Sequence, residues 1–590
     1  MKLFKQVLEK NKKILILYLL IGILLTFLEL YLVTYYQKIL DAFQYQTLTL
    51  KPIIIYGILL VISAILGYID NYPEQKLKNG LFLDFKLQSL RKMKTIDYLE
   101  YQKLGTGNLI QKIEEGATSS TNIMMNFYLN VFRKLLPTAL FSLIFIYQVK
   151  KELTIFIFLG YLLVIIITNL ILKRLYNLKE KILVNSEYLN KHLVRGLMEL
   201  VVFRTNKKYD MEIKITEDGI KNIVDNKVKI KLVHELFFTI FELIVSVLKV
   251  IILAFAVLKT NLSVGAVVTV IALISKSYQP IAIFNVEYID YKLNKIAVKR
   301  YIDFLSLKDD LNLTTGKKIK KLSPSIILKN VTYQYPNSKK SLINNLSLTI
   351  KAGEKLAIVG ETGSGKSTII KLIIGLLKDY QGQILISNED LSKLNLNDLY
   401  NNITYISQES PIFDGTLREN IVFDKKASDT EIIKALKLVS LEKFYLHLEK
   451  GLDTELGERG IKMSGGERQR VALARLFFEK SSIVILDEAT SALDNITEKE
   501  VMTNIMTNSK DKTLIIIAHR LETIKNVDKI LVLSSGEIKE EGTYQELLNK
   551  KNYFYNLVNS KKWVSQTLTK MQTYTLFSTF TYIVLILFLW

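Results

Sequence analysis

Six long apolar runs in the first half of the sequence constrain this chain more than any other feature. They cover residues 14–35, 52–69, 135–147, 153–172, 236–258 and 264–284. About 20 apolar residues cross a bilayer as a helix. One such run alone reads equally well as a buried core helix, but six in half a chain read as membrane spans. The third is short and needs its flanking residues to reach across.

The connections between runs set the orientation. Residues 75–134 hold 10 Lys and Arg, and residues 173–235 hold 14. The short connections 37–51, 150–152 and 259–263 hold 2, 2 and 1. Basic residues mark the cytoplasmic side, so both long connections and the N-terminus are expected inside. Few Gly or Pro interrupt the long connections, which read as helical extensions of the spans. Residues 1–13 lack a signal-peptide cleavage site, and the first run is expected to stay as a span.

The net charge of +22 fits this reading. Nucleic-acid binding is the other reading of such a charge, and the spans argue against it. The chain has no cysteine. Disulfides, thiolate zinc sites and a cysteine nucleophile are therefore excluded.

The pattern changes near residue 307. "LKDDLNLTTGKKIKKLSPS" is polar with turn residues and reads as a linker over 307–325. From 326 to 560 short apolar runs such as "KLAIVG", "SSIVILDE" and "TLIIIAH" alternate with helical stretches. That is how a mostly parallel α/β sheet reads. The expected fold class is a membrane α-helical domain of six transmembrane helices (1–306) followed by an α/β P-loop NTPase domain. A tail, 561–590, ends in 20 uncharged residues, "MQTYTLFSTFTYIVLILFLW", which read either as an extra span or as a surface-packed tail.

The chemistry lies in the second domain. "GETGSGKST" follows an apolar strand and opens a helical stretch, the context that G-x-x-x-x-G-K-[ST] requires. Gly360, Gly363 and Gly365 let backbone N–H groups wrap phosphates, with Glu361, Thr362, Ser364 and Thr368 in the same loop. Lys366 reaches the β- and γ-phosphates of ATP, and the Ser367 hydroxyl binds Mg²⁺. "SSIVILDE" is a buried strand ending in two carboxylates. Asp487 suits the magnesium shell and Glu488 suits polarising the attacking water. His519 ends another apolar strand, where open α/β sheets bind ligands, and reads as a γ-phosphate contact. Gln408 follows a strand too, and its amide could reach the metal or the water. Tyr335 has two readings, an adenine-stacking ring or an ordinary core or surface tyrosine.

One stretch poses a question. "MSGGERQR" places Ser464, Gly465 and Gly466 before a polar helix, with Glu467 in its first turn. Such a helix start also attracts anions. One ATPase domain would then have two phosphate sites.

In order and spacing these motifs resemble the nucleotide-binding domain of an ABC transporter. Tyr335 matches the A-loop aromatic, 360–368 Walker A, Gln408 the Q-loop, and Ser464 to Glu467 the signature. Asp487 and Glu488 match Walker B and the catalytic glutamate, 491–494 the D-loop, and His519 the H-loop. "TELGERG", 454–460, resembles the X-loop. "GTGNLIQKIEE" resembles the segment after the first coupling helix, and the second would lie around 203–212. With six runs in front, the whole resembles an exporter-type half-transporter over about residues 1–560.

The resemblance implies several things. In this family the signature meets the nucleotide of the other subunit, so the chain is expected to work with a second half-transporter, as a homodimer with two equivalent sites. ATP-driven export of a peptide, lipid or amphipathic molecule across the cytoplasmic membrane is the expected function. Using ATP to regulate a channel or signal is the alternative. One departure stands out: Glu467 occupies a position where the family usually has Gln, placing a carboxylate near phosphate.

Overall fold

A computed structural model describes residues 2–155, 157–162, 166, 188–189, 192, 200–259, 262–319, 323–336, 338–457, 460–518 and 520–559. It divides into two compact units, Met1–Lys94 with Leu104–Leu307, and Thr95–Lys103 with Lys308–Trp590.

The first unit is helical. Among the described residues, four helices are long and apolar enough to cross a membrane: Lys12–Gln44, Leu50–Thr95, Leu109–Val149 and Tyr209–Ala254. The third run gains its length from helix on both sides, as a short run in a bilayer requires. Part of that helix, Ile123–Leu129 and Val131–Leu135, is wound as π-helix. The sixth run lies in the helix Val264–Leu305, and the fourth falls partly outside the described residues. The long helices also run well past the apolar segments. Leu50–Thr95 continues beyond residue 69, and Tyr209–Lys259 begins 27 residues before 236. The second connection is helical at Leu200–Thr205, turns at Asn206 and Lys207, and enters Tyr209–Lys259.

Apolar side chains from the spans pack on one another. Leu30, Ile146, Leu153, Ile157, Leu273 and Tyr278 are buried together, and the Tyr278 hydroxyl donates to the Ile157 carbonyl at 2.8 Å. Two pairs of charges near the spans meet across helices, which lowers the cost of a charge in hydrocarbon. The Arg133 guanidinium pairs with Asp70, donates to the Tyr18 hydroxyl at 3.0 Å, and lies 4.0 Å from the centre of the Tyr18 ring. Gly22 makes that arrangement fit, because a Cβ there would stand 2.0 Å from Arg133 Nε. Lys276 and Glu29 pair at 3.9 Å between two helices, each about half exposed.

The second unit holds two sheets. The larger has the order β10-β9-β3-β8-β7-β6. These strands are β3 (Lys355–Gly360), β6 (Ile403–Ile406), β7 (Ile483–Asp487), β8 (Thr513–Ile517), β9 (Lys529–Ser534) and β10 (Glu537–Gly542). All neighbours are parallel except β9 and β10. β7 and β8 are buried at every residue, as strands covered on both faces must be.

The smaller sheet is antiparallel, in the order β2-β1-β4-β5, with β1 (Ile326–Tyr333), β2 (Ile343–Ile350), β4 (Gln381–Ile386) and β5 (Glu389–Asp390). The expectation of one mostly parallel sheet holds for the first sheet and misses the second. In "INNLSLTI" burial follows the apolar residues and the polar ones face out, the signature of a sheet wet on one side.

A short segment from the N-terminal half belongs to this unit. Asp97 caps the helix Tyr98–Gln102, and the flanking backbone pairs with residues 308–310. The Lys371 ammonium lies 5.8 Å from the centre of the Tyr98 ring.

Candidate nucleotide site

The phosphate loop leaves β3 and enters the helix Lys366–Ile373. Its glycines carry the conformations that other residues resist: φ is +154° at Gly360, +84° at Gly363 and +104° at Gly365. A Cβ on Gly360 would stand 2.1 Å from the Leu533 carbonyl oxygen, so the loop is pressed against β9. At Gly363 a Cβ would meet nothing, and Glu361 and Thr362 are exposed beside it. The Lys366 ammonium is folded back over the loop, donating to the carbonyls of Gly360 at 3.0 Å and Glu361 at 2.9 Å. Ser364 Oγ is buried with no hydrogen-bond partner among the described residues. A buried hydroxyl of that kind wants an acceptor, and a phosphate oxygen would be one.

The ends of β3, β6 and β7 bring the remaining groups together. Ser367 Oγ donates to Asp487 Oδ1 at 3.1 Å. Tyr405, on β6, donates its hydroxyl to Asp487 Oδ2 at 3.2 Å. Burial pushes the Asp487 carboxyl above its ordinary range, against these two hydrogen bonds, and the neighbouring Glu488 adds to the rise. Burial also raises the Tyr405 phenol, with Asp487 next in effect. The Gln408 amide donates to Glu488 Oε2 at 2.7 Å. Glu488 itself has φ of +51°, uncommon for a residue with a Cβ. Its N–H reaches back to the Ile517 carbonyl at 3.2 Å.

Tyr335 follows β1. Its ring meets Tyr333 edge-on at 5.1 Å, and its hydroxyl lies 3.4 Å from Thr368 Oγ1. The ring thus sits beside the phosphate-loop helix, half-buried. His519 lies outside the described residues, as do residues 458 and 459 of the "TELGERG" stretch and the apolar tail 571–590. The described part of that stretch is fastened to the chain just before the helix Leu417–Val422, with Leu456 N–H on the Gly415 carbonyl at 3.0 Å.

Ser464 begins the helix Gly465–Ala474. Its hydroxyl accepts from the Glu467 N–H at 3.3 Å, and Glu467 Oε2 accepts from the Ser464 N–H at 2.7 Å. This is a reciprocal capping box. Glu467 thus satisfies an N–H at the helix start, a part that Gln, the usual residue there, fills equally well.

Three residues near the site carry no motif signal that the sequence reading used. Tyr405 stands three positions before Gln408. Gln469, on the signature helix, bonds to Ser491 and Ala492. Glu498 bonds to Thr490 and Arg520. Only Tyr405, a hydroxyl in a mostly apolar strand, offers a cue; Gln469 and Glu498 lie in polar stretches, "GGERQR" and "NITEKE".

Comparison with known proteins bears on the family and the fold. The family model described as ABC transporter matches residues 343–491. The β-(1→2)glucan export ATP-binding/permease protein NdvA of Bartonella bacilliformis is 31% identical over 487 residues, covering 80% of this chain and 80% of that protein. A putative export ATP-binding/permease protein of Rickettsia typhi is 28% identical over 86% of this chain and 89% of its own length. The mitochondrial iron-sulfur clusters transporter ATM1 of Candida glabrata is 37% identical over 50% of this chain and 41% of its own. A solved bacterial Atm1-family ABC exporter with ATP bound shares the fold, with a TM-score of 0.79, 24% identity, and coverage of 94% of this chain and 99% of that one. The phosphate loop, the paired acids and the preceding spans thus have one common explanation: the chain belongs to the ABC transporters, as a multi-pass, exporter-type half-transporter that binds ATP and couples its hydrolysis to export.

Proposed function

We propose that two copies of this chain form a homodimer in the cytoplasmic membrane and export a peptide, lipid or amphipathic molecule by alternating access. The observation that carries this reading is the convergence of Ser367, Asp487, Gln408 and Glu488 at the ends of β3, β6 and β7. One chain has one phosphate loop and one signature helix. A signature helix start aimed at phosphate answers the question of two sites if it serves the partner's nucleotide.

In this reading residues 1–306 form the membrane domain, 307–325 the linker and 326–560 the nucleotide-binding domain. Tyr335 stacks on adenine. The 360–368 loop and Lys366 hold the phosphates. Ser464, Gly465, Gly466 and Glu467 cover the nucleotide of the other copy. Glu488 orients and polarises the attacking water, with Gln408 beside it and His519 on the γ-phosphate.

The oxygen donors of Ser367, Asp487 and Gln408 suit Mg²⁺, a hard cation. When bound, Mg²⁺ neutralises charge on the β- and γ-phosphates. The closed dimer binds ATP better than the open one, so ATP shifts the population toward closure and hydrolysis reverses it. The Lys276–Glu29 pair, half exposed among apolar residues, supports a path with polar groups of both signs.

The test is ATPase activity in lipid nanodiscs, wild type beside Glu488→Gln, with peptides, lipids and dyes added one class at a time. Hydrolysis by wild type alone, stimulated by one class, supports the reading and names the cargo class. No hydrolysis without a different partner chain would rule out the homodimer.

A further inference from the structure

A groove lies where two long helices leave their apolar runs. Leu17, near the start of the run in Lys12–Gln44, lines it from one helix. Tyr68, Ile69, Tyr72, Lys76 and Asn79 line it from Leu50–Thr95, at the end of that helix's run and just past it. Its volume is about 910 Å³, within the size range of ligand pockets. On the orientation read from the basic connections, these ends of the two runs lie at the cytoplasmic face.

The groove changes character along its length. Toward the spans it is apolar. Exposed Leu20 and Leu24 continue the face of Leu17, and exposed Ile65 and Ile62 continue the face of Ile69. Toward the cytoplasm it is polar and basic. Tyr68 and Tyr72 are 81% and 63% exposed. The Lys76 ammonium donates to the Tyr72 hydroxyl at 2.8 Å and lies 5.1 Å from the centre of its ring. Lys13, exposed one turn before Leu17, stands on the same helix face. Among the described residues neither lysine has a carboxylate partner. Asp70 and Glu74 do not line the groove, and Asp70 is taken by Arg133. Pro73 has no N–H for the carbonyl of Ile69, so a groove-lining residue keeps an acceptor without its usual donor.

We propose that this groove holds an anionic phospholipid of the cytoplasmic leaflet. The lipid phosphate takes the Lys76 and Lys13 ammonium groups and the Tyr72 hydroxyl. A headgroup hydroxyl donates to the Ile69 carbonyl, and one acyl chain follows Leu17 and Ile69 into the bilayer. The apolar part alone would accept any lipid. The two lysines select negative charge, as basic pockets between membrane helices do on the cytoplasmic side. Tyrosines suit the headgroup level, where an apolar ring and a polar tip are both satisfied. A free phosphate would leave the apolar half uncovered. The site lies wholly within one chain and away from the nucleotide, so it stands apart from the dimer and cargo readings.

The experiment is native mass spectrometry of the full chain released from detergent. The chain is first titrated with phosphatidylglycerol or with phosphatidylcholine of the same acyl chains. Wild type is expected to retain phosphatidylglycerol at lipid ratios where phosphatidylcholine is lost. Lys13→Gln and Lys76→Gln are each expected to weaken phosphatidylglycerol retention about fivefold, the worth of one basic residue at an anionic surface. Both lysines are exposed, so neither change disturbs packing. Leu17→Trp fills the groove with every charge kept, and is expected to lower retention as well.

Equal retention of the two lipids by wild type, or retention unchanged in all three variants, overturns the proposal. Release of phosphatidylglycerol by excess inorganic phosphate also overturns it, because the groove would then be a phosphate site. A second copy of the chain is the remaining occupant. A spin label on Asn79→Cys, in a chain with no other cysteine, detects it. Spin–spin broadening between copies means that the partner covers the groove, and overturns the proposal. A label free of broadening while phosphatidylglycerol is retained supports it.

Discussion

The Gln408 side-chain amide donates a hydrogen bond to the Glu488 carboxylate at 2.7 Å. This ties the loop after β6 to the end of β7 and orients the carboxylate proposed to polarise water. Glu488→Gln keeps the shape and removes the charge. Phosphate release is expected to fall by about 10²- to 10⁴-fold, the usual worth of a positioned general base. Nucleotide binding is expected to persist, which filter retention of labelled ATP would check.

Lys366 is held by two backbone carbonyls of its own loop. Its ammonium can exchange them for phosphate oxygens with little rearrangement. Lys366→Ala is expected to weaken ATP binding by at least about tenfold, the worth of one charge-assisted hydrogen bond. Titration with a fluorescent nucleotide would show it, and unchanged affinity would contradict the assignment of the loop.

Asp487 sets stability against function. Burial raises its pKa above the unfolded value. Such a group contributes stability in full below the unfolded pKa and loses it as pH rises through the folded one. Near neutral pH the ionised carboxylate is therefore a cost. Asp487→Asn is expected to melt higher than wild type at neutral pH without nucleotide, with the difference shrinking as pH falls into the carboxylate range. Its ATPase activity is expected to be lost. Scanning calorimetry at several pH values tests the sign.

Glu498 and Arg520 are unequal partners. The glutamate side chain is 4% exposed and the arginine 36%. Removing Arg520 strands a buried carboxylate, whereas removing Glu498 leaves a guanidinium that water can reach. Arg520→Ala is expected to cost about 3 kcal/mol and Glu498→Gln about 1 kcal/mol. Chemical unfolding of both variants would decide it, and the opposite order would contradict the burial argument.

Much of the site was legible because its chemistry is local in sequence. Gly360 to Thr368 are one continuous stretch, and "SSIVILDE" carries its two acids on one strand end. The partners of those residues were not legible. Tyr405 reaches Asp487 only because β6 lies beside β7, and Gln469 meets Ser491 only after the helix packs on the loop. Strand order comes from long-range pairing that no window of residues displays. The small antiparallel sheet was overlooked for a different reason. Its alternation was present in "INNLSLTI", but the continuous apolar strands beside it dominated the pattern. The spans were legible from apolar length, whereas the Arg133–Asp70 pair depends on which helices become neighbours.

The capping box at Ser464 and Glu467 recurs at Thr416 and Glu419, at Ser428 and Glu431, and at Thr543 and Glu546. Each closes within a single helical turn, so it can form as soon as its own few residues exist. The β3–β8 pairing joins Lys355 to Leu514 and must wait for the intervening chain. Contacts near in sequence cost less chain entropy to close than distant ones. Glu467 thus belongs to the cheap, local part of the fold, whereas the sheet that presents its helix draws on contacts more than a hundred residues apart.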